Sequence, residues 1–396
     1  MGTSIVLATR AARRAPSLAR PSGFLLCLSA VAVWSTGGCS QRSRSDLSER
    51  VTAGKPIPAE IITRALDRYH VPGVSIAVVH AGKIEWAEGY GLRESRKPDT
   101  VDVTTLFQAA SISKPVSAAL ALRMVDLGLL ALDEDVNRKL KSWKVPESEF
   151  TSEKPITLRN LLSHSAGLPM HGVPEFASGA PRPTLVQILE GTWSTDAERV
   201  RSIARPGVEY RYSGGGYIVL QLLLTDVADR PFERLAKELV LDPAGMSAST
   251  FEQPLPQELW NRAAVGHDRY GSPLVGAWHV LPEQAAGGLW TTPSDLASFM
   301  LSIWKSYHGQ PGALLPEPLA RQMLTRQIDD FGLGFYLPSS GAARFQHGGG
   351  NAGYRCFAVL SVDGGDGAVI MTNGDNGEPL IWDVYKMIGR AYGWSV

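Results

Sequence analysis

Cysteine is nearly missing from the body of this 396-residue chain. Of its three cysteines, Cys27 and Cys39 fall in the N-terminal leader and only Cys356 remains beyond it. The body therefore has no pair for an intrachain disulfide. Cys356 lies in the apolar run Tyr354 to Leu360 and reads as a buried strand residue rather than a reactive thiol. Net charge is missing too, with 39 Lys and Arg against 39 Asp and Glu. The first 38 residues hold four arginines and no acid, so the remainder carries 35 basic side chains against 39 acidic ones. Nothing in that balance steers the chain toward nucleic acid or an anionic membrane surface. No apolar run is long enough to cross a bilayer. No G-x-S-x-G elbow occurs, which disfavours a conventional α/β-hydrolase. The eight histidines form no H-x-H or H-E-x-x-H pair, which disfavours a zinc hydrolase. Internal repeats are lacking as well.

What is there is an enzyme-like composition. Apolar residues at 44% and charged residues at 20% favour a globular chain over a disordered one, and the length suits one large domain or two moderate ones. Residues 1–39 read as an export leader: Arg10, Arg13, Arg14 and Arg20, a short apolar core from Phe24 to Trp34, then small residues. Thr36-Gly37-Gly38-Cys39 resembles a bacterial lipobox with threonine in place of the usual leucine-like residue. Lipidation of Cys39 as a membrane anchor and ordinary cleavage nearby both fit. Residues 40–56 are a polar tether, and 57–396 form the functional domain, placed by the leader in the periplasm or cell envelope.

Along the body, a helix is expected from Pro58 to Tyr69, then strands 73–80 and 83–90 about a turn at Ala81-Gly82. The helix following Lys114 is expected to end between Gly128 and Asp133. Residues 134–285 are rich in helix and loop. ARFQHGGG, NAGYRCFAVLSV and GAVIMTN read as consecutive strands, and Pro379–Tyr392 as a last helix. Strands at both ends with helices between predict an α+β fold in two lobes, an antiparallel sheet with an inserted, mainly helical lobe, whose cleft is the natural ligand site.

Ser111-Ile112-Ser113-Lys114 is the pattern that carries chemistry. S-x-x-K alone is weak, because Ser302-Ile303-Trp304-Lys305 fits it too, deep in a helix predicted over 293–305 where a hydroxyl bonds back to its own carbonyls. Ser111 instead stands where a strand-like segment, 106–109, gives way to an apolar helix. At that position free amides favour a developing negative charge, and Lys114 shares a helical face with Ser111. Lysine is ordinarily too basic for a general base at neutral pH, so the pattern needs burial or a cationic neighbour. The competing reading is a helix cap with a solvated lysine.

Three further clusters bear on the choice. Arg211-Tyr212-Ser213-Gly214-Gly215-Gly216 sets a tyrosine before a glycine-rich turn and a helix expected over 217–227; the phenol becomes a usable base beside a lysine ammonium. Phe345-Gln346-His347-Gly348-Gly349-Gly350 puts glycines on an edge strand, where a substrate backbone fits and an amide can serve an oxyanion hole. Residues 157–169 read as a capped helix with a Gly-Leu-Pro stop, and His164 in it is given no chemistry. Asp133-Glu134-Asp135 reads as a solvated cap, since the alternating ligand spacing of a calcium loop is missing.

In order and spacing, SISK (111–114), RMVDLGLLALDEDV (123–136), ITLRNLLSHSAGLP (156–169), YSG (212–214), AAGGLWTTPSDLASFM (285–300), FGLGF (331–335) and HGG (347–349) resemble the serine β-lactamase-related family. That family includes class C β-lactamases, penicillin-binding D,D-peptidases and esterases, and the resemblance spans roughly residues 58–396. It implies Ser111 as acylated nucleophile, Lys114 as its proton-accepting neighbour, and Tyr212 as partner base. It also implies His347-Gly348-Gly349 in place of Lys-Thr-Gly, backbone amides of Ser111 and Gly350 as oxyanion hole, and neither metal nor organic cofactor. Two departures stand out. The amide-binding asparagine of the tyrosine motif is Gly214, and the carboxylate-binding lysine is His347, charged only in part at neutral pH. Both weaken recognition of a carboxylate-bearing amide, which favours an esterase-like or peptidase-like hydrolase over an efficient β-lactamase or D,D-carboxypeptidase. A non-catalytic cell-envelope ligand-binding protein is the rival from another class, and it has no need of all three of Ser111, Lys114 and Tyr212. Loops 170–200 and 253–285 are expected to shape the pocket, and Trp193, Trp260 and Trp278 are expected mostly in the core.

Overall fold

The computed structural model describes residues 51–394. The leader, Cys39 and the tether up to residue 50 lie outside them, and residues 51–56 run as an irregular, largely exposed segment. Helix α1 (Ala59–Tyr69) buries Ile61, Ile62 and Leu66 and stops at His70 in a left-handed conformation. Strands β1 (Gly73–His80) and β2 (Lys83–Gly91) form the expected hairpin about Ala81-Gly82. Strand β3 (Phe107–Gln108) leads through a single 3₁₀ turn, Ala110–Ile112, into helix α2 (Ser113–Asp126).

That helix ends earlier than expected. The Gly128 amide donates to Val125 O and the Leu129 amide to Met124 O, at 3.0 and 2.9 Å, with Gly128 at φ +72°. This is a Schellman stop, and glycine adopts its left-handed residue without a Cβ penalty. The middle of the chain holds α3 (Leu158–Leu162), β4 (Phe176–Ala177), α4 (Gly214–Ala228), β5 (His279–Val280), α5 (Gln284–Gly287) and β6 (Trp290–Thr291). Helix α6 (Pro293–Tyr307) begins with Thr292 as cap and proline in its first turn. Strands β7 (Arg344–Asn351), β8 (Tyr354–Ser361) and β9 (Gly367–Thr372) precede the closing helix α7 (Gly377–Tyr392).

The sheet is antiparallel throughout, in the order β2-β1-β9-β8-β7. An N-terminal hairpin is thus completed by a C-terminal meander, as the sequence predicts. Side chains alternate across it. Val74, Ile76 and Val78 face a core shared with α1 and α7, while Ala77 and Val79 face a larger core that continues into the helical insertion. Strand β7 is left at the edge, and the 3₁₀ turn carrying Ser111 packs against it.

Candidate active site

Helix α2 begins against α5 and the segment after it, and backbone atoms do the fastening. Lys114 Nζ donates to Ala286 O at 2.7 Å and to Ser111 Oγ at 3.0 Å. Ser117 Oγ donates to Ala285 O at 3.0 Å, and the Leu289 amide donates to Ser113 Oγ at 3.0 Å. Lys114 is 3% exposed, whereas Ser111 stays partly open to solvent. Ala110, just before Ser111, is held at φ +49°, an uncommon conformation for a residue with a Cβ. The competing pattern at 302–305 is inert by contrast: Ser302 Oγ donates back to Phe299 O.

The third member arrives from α4. Ser213 caps that helix by accepting from the Gly216 amide, so the glycines form its first turn rather than a turn before it. The reason is spatial. A Cβ on Gly214 would sit 2.8 Å from a methyl of Val173, and one on Gly215 would sit 3.0 Å from Pro169 O. This cap turns the Tyr212 ring toward α2, where Lys114 Nζ lies over it 5.0 Å from the centroid, and 5.7 Å from that of Tyr217. Ring faces attract cations, most strongly where water is excluded.

His164, read from the sequence as structural, stands directly behind this tyrosine. Its ring stacks on Tyr212 with centroids 4.3 Å apart, and its Nδ1 accepts the Ser213 amide proton at 3.0 Å. Burial, reinforced by the Lys114 ammonium, holds it neutral well below the ordinary imidazole range. Its only sequence signal was membership of the ITLRNLLSHSAGLP stretch. Phe331, from FGLGF, meets the His164 ring edge-on at 4.9 Å.

The strand-borne residues divide. A Cβ on Gly349 would lie 2.3 Å from Ala109 O, so only glycine lets β7 approach the Ser111 turn. Gly349→Ala is therefore expected to cost about 1–3 kcal/mol through overpacking and to slow serine labelling, measured by thermal unfolding and adduct formation. Gln346 exchanges both backbone bonds with Tyr336, on the side away from β8. By the two-residue alternation of an antiparallel strand, the Gly350 N–H faces that same open side. Gly350 lines the cleft with Ser111 and Lys114, while Gly348 is solvent-exposed on the strand.

His347 requires a correction. It is buried at 6% exposure, its Nδ1 lies 2.6 Å from Gly348 O, and its ring meets Phe331 edge-on at 6.2 Å. Burial, with the Lys114 ammonium adding to it, pushes its pKa down to about 4. It is neutral at pH 7 and offers no charge to a substrate carboxylate.

The cleft has a volume of about 100 Å³ and is lined by Ser111, Lys114, Gly350, Asn351, Glu175 and neighbouring residues. His171, Gly172, Val173 and Glu175 of the first expected loop line it, whereas no residue of the second does, and Ala286 and Gly287 just beyond its end take that place. Asn351 braces the wall, donating to Gln108 Oε1 at 2.7 Å and Gly287 O at 3.2 Å. Trp278 is buried, but Trp193 and Trp260 are exposed at 37% and 48%, which corrects their expected place. Asp135 caps a 3₁₀ turn, and Asp133 pairs with Arg159. Among the described residues no group of three or more His, Cys, Asp or Glu side chains is placed to hold a metal ion.

The sequence matches the model of the Beta-lactamase family over residues 59–383. The chain belongs to that family. Its members are serine hydrolases, and the antiparallel sheet with a helical insertion is the family's fold. Among curated proteins, it is similar to protein flp of Staphylococcus aureus, 26% identical over 234 residues, which cover 59% of this chain and 44% of that one. The chain thus spans less than half the length of the curated relatives it matches. Among solved structures, it is similar to an octameric penicillin-binding protein homologue from Pyrococcus abyssi, with TM-score 0.69 and 22% identity over 85% of this chain and 77% of the other. It is also similar to EstCE1, a hydrolase with promiscuous acyltransferase activity, with TM-score 0.68 and 20% identity over 89% of this chain and 100% of the other. At such identities the structural likeness speaks for the fold alone.

Proposed function

We propose that this chain is an exported serine hydrolase that cleaves small esters or amides through an acyl-enzyme on Ser111. One observation carries the reading. A partly exposed hydroxyl at position 111 lies 3.0 Å from the ammonium of Lys114, which in turn lies 5.0 Å from the centroid of the Tyr212 ring. In this scheme Ser111 Oγ attacks the acyl carbonyl while its proton passes to Tyr212, the partner base beside Lys114. The tetrahedral oxygen settles between the amides of Ser111 and Gly350. Collapse expels the alcohol or amine, which takes the proton from Tyr212. Water then repeats the sequence against the ester on Ser111.

Esterase-like or peptidase-like turnover is favoured over β-lactam or D,D-peptide hydrolysis for a structural reason. The position expected to greet a carboxylate holds a neutral, buried imidazole, and the asparagine site is Gly214. Export rests on the basic, then apolar, leader.

Intact-protein mass spectrometry with an active-serine phosphonate tests the reading. One adduct on Ser111, abolished by Ser111→Ala, is expected. A folded protein that takes no adduct would favour the ligand-binding rival. A panel of short p-nitrophenyl esters, a chromogenic cephalosporin, D-amino acid amides and D-Ala-D-Ala peptides then ranks the substrate classes.

A further inference from the structure

The cleft beside Ser111 has a carboxylate in its wall. Glu175 lines it together with Ser111 and Lys114, and its side chain is 23% exposed. Its two oxygens accept from the Ala352 amide at 3.1 and 3.2 Å, and Oε2 lies 3.1 Å from His279 Nδ1. These bonds hold the group by the turn between β7 and β8 and by β5, at a fixed place on the rim. A carboxylate offers about four acceptor sites, so one remains for a ligand in the cleft. Its ionisable partner in the protein is His279, while Lys114 is engaged by Ser111 and Ala286. His347, the position from which a cation would have met an anionic substrate, is buried with its ring near those of Phe331 and Tyr212.

Building on the hydrolase reading, we propose that Glu175 is a cation-selecting subsite. It favours acyl donors that carry an ammonium a few bonds from the scissile carbonyl and disfavours those that carry a carboxylate there. The chemical class is an amino-acyl or quaternary-ammonium ester or amide. The preference is electrostatic. An opposite charge at contact distance in a partly desolvated cleft attracts, and a like charge repels, far more than in open water. The Ala352 amide and the His279 ring keep Glu175 in place, so little conformational freedom is lost when a ligand arrives.

Three p-nitrophenyl esters of similar length but different fixed charge test this: 4-(trimethylammonio)butyrate, hexanoate and the glutarate monoester. For the wild-type chain, kcat/KM is expected to fall in that order. In Glu175→Gln, which keeps an acceptor for the Ala352 amide, the cationic-to-neutral ratio is expected to drop about tenfold or more, the scale of a lost charge-assisted contact. The anionic-to-neutral ratio is expected to rise. Glu175→Asp, with the charge kept, is expected to retain the order. Ratios that match between wild type and Glu175→Gln would overturn the subsite. Calorimetric binding of 4-(trimethylammonio)butyramide against hexanamide separates this from failure of the hydrolase reading. Absence of Ser111-dependent turnover, with cationic binding that weakens in Glu175→Gln, would remove the hydrolase and keep the subsite. Equal binding of both amides to both proteins would remove the subsite.

Discussion

Lys114→Ala is expected to slow acylation of Ser111 by about 10²–10⁴-fold, the range of a lost proton-transfer partner, while the protein stays folded. The expectation follows from the two bonds of this amine. One ties it to Ser111 Oγ and the other to a main-chain carbonyl, Ala286 O. Alanine removes both the charge beside Tyr212 and the link to the nucleophile. Stability is held because a buried ammonium paid a desolvation cost that alanine does not. The check is the rate of the phosphonate adduct or of the ester burst, with thermal unfolding as control. Lys114→Met, which restores much of the volume, separates packing from chemistry. Ester hydrolysis undiminished in both variants would take Lys114 out of the mechanism.

The second large effect concerns stability against pH. Glu283 is fully buried, neither oxygen has a hydrogen-bond partner, and burial raises its pKa to about 8, with Glu175 pushing the same way. The folded chain keeps this proton in a range where the unfolded chain has released it, from near pH 4.5 upward. Its contribution to stability therefore falls as pH rises from about 4.5 to about 8. His347, at about 4 when folded, and His164, also depressed, act in the opposite sense. The unfolded chain protonates them below about pH 6.5 and the folded chain does not, so stability falls as pH drops through that window. Buried His267 joins the histidine limb, while Asp295 and His279 join Glu283.

Maximum stability is accordingly expected near pH 6.5. Glu283→Gln should flatten the alkaline limb and stabilise the chain by about 2–4 kcal/mol at pH 9 relative to wild type. His347→Asn, whose amide can still donate toward Gly348 O, should flatten the acid limb. Denaturant unfolding from pH 5 to 9 measures both. A Glu283→Gln difference that does not change with pH would refute the assignment.

Local rules made much of this molecule readable. Alternating apolar runs broken by Ala81-Gly82 and by Gly353 gave the strands, because period and turn chemistry act over a few residues. The Ser111-Lys114 spacing gave a contact one helical turn long. The misreadings came from distance along the chain. The glycines at 214–216 look like a turn until Val173 and Pro169 are set against them. His347 looks half-charged until it is buried, and the Phe331 ring and Lys114 ammonium beside it are distant in sequence. Glu175 gave no signal at all. It reaches the cleft through the Ala352 amide and His279, each more than 100 residues away.

The fastening of Lys114 to Ala286 O has a bearing on how this chain can change. A main-chain carbonyl is present whatever residue occupies that position, so side-chain replacement there cannot delete the acceptor that aims the amine. Residues around the cleft mouth can therefore vary or be re-engineered while the contact between Lys114 and Ser111 keeps its alignment.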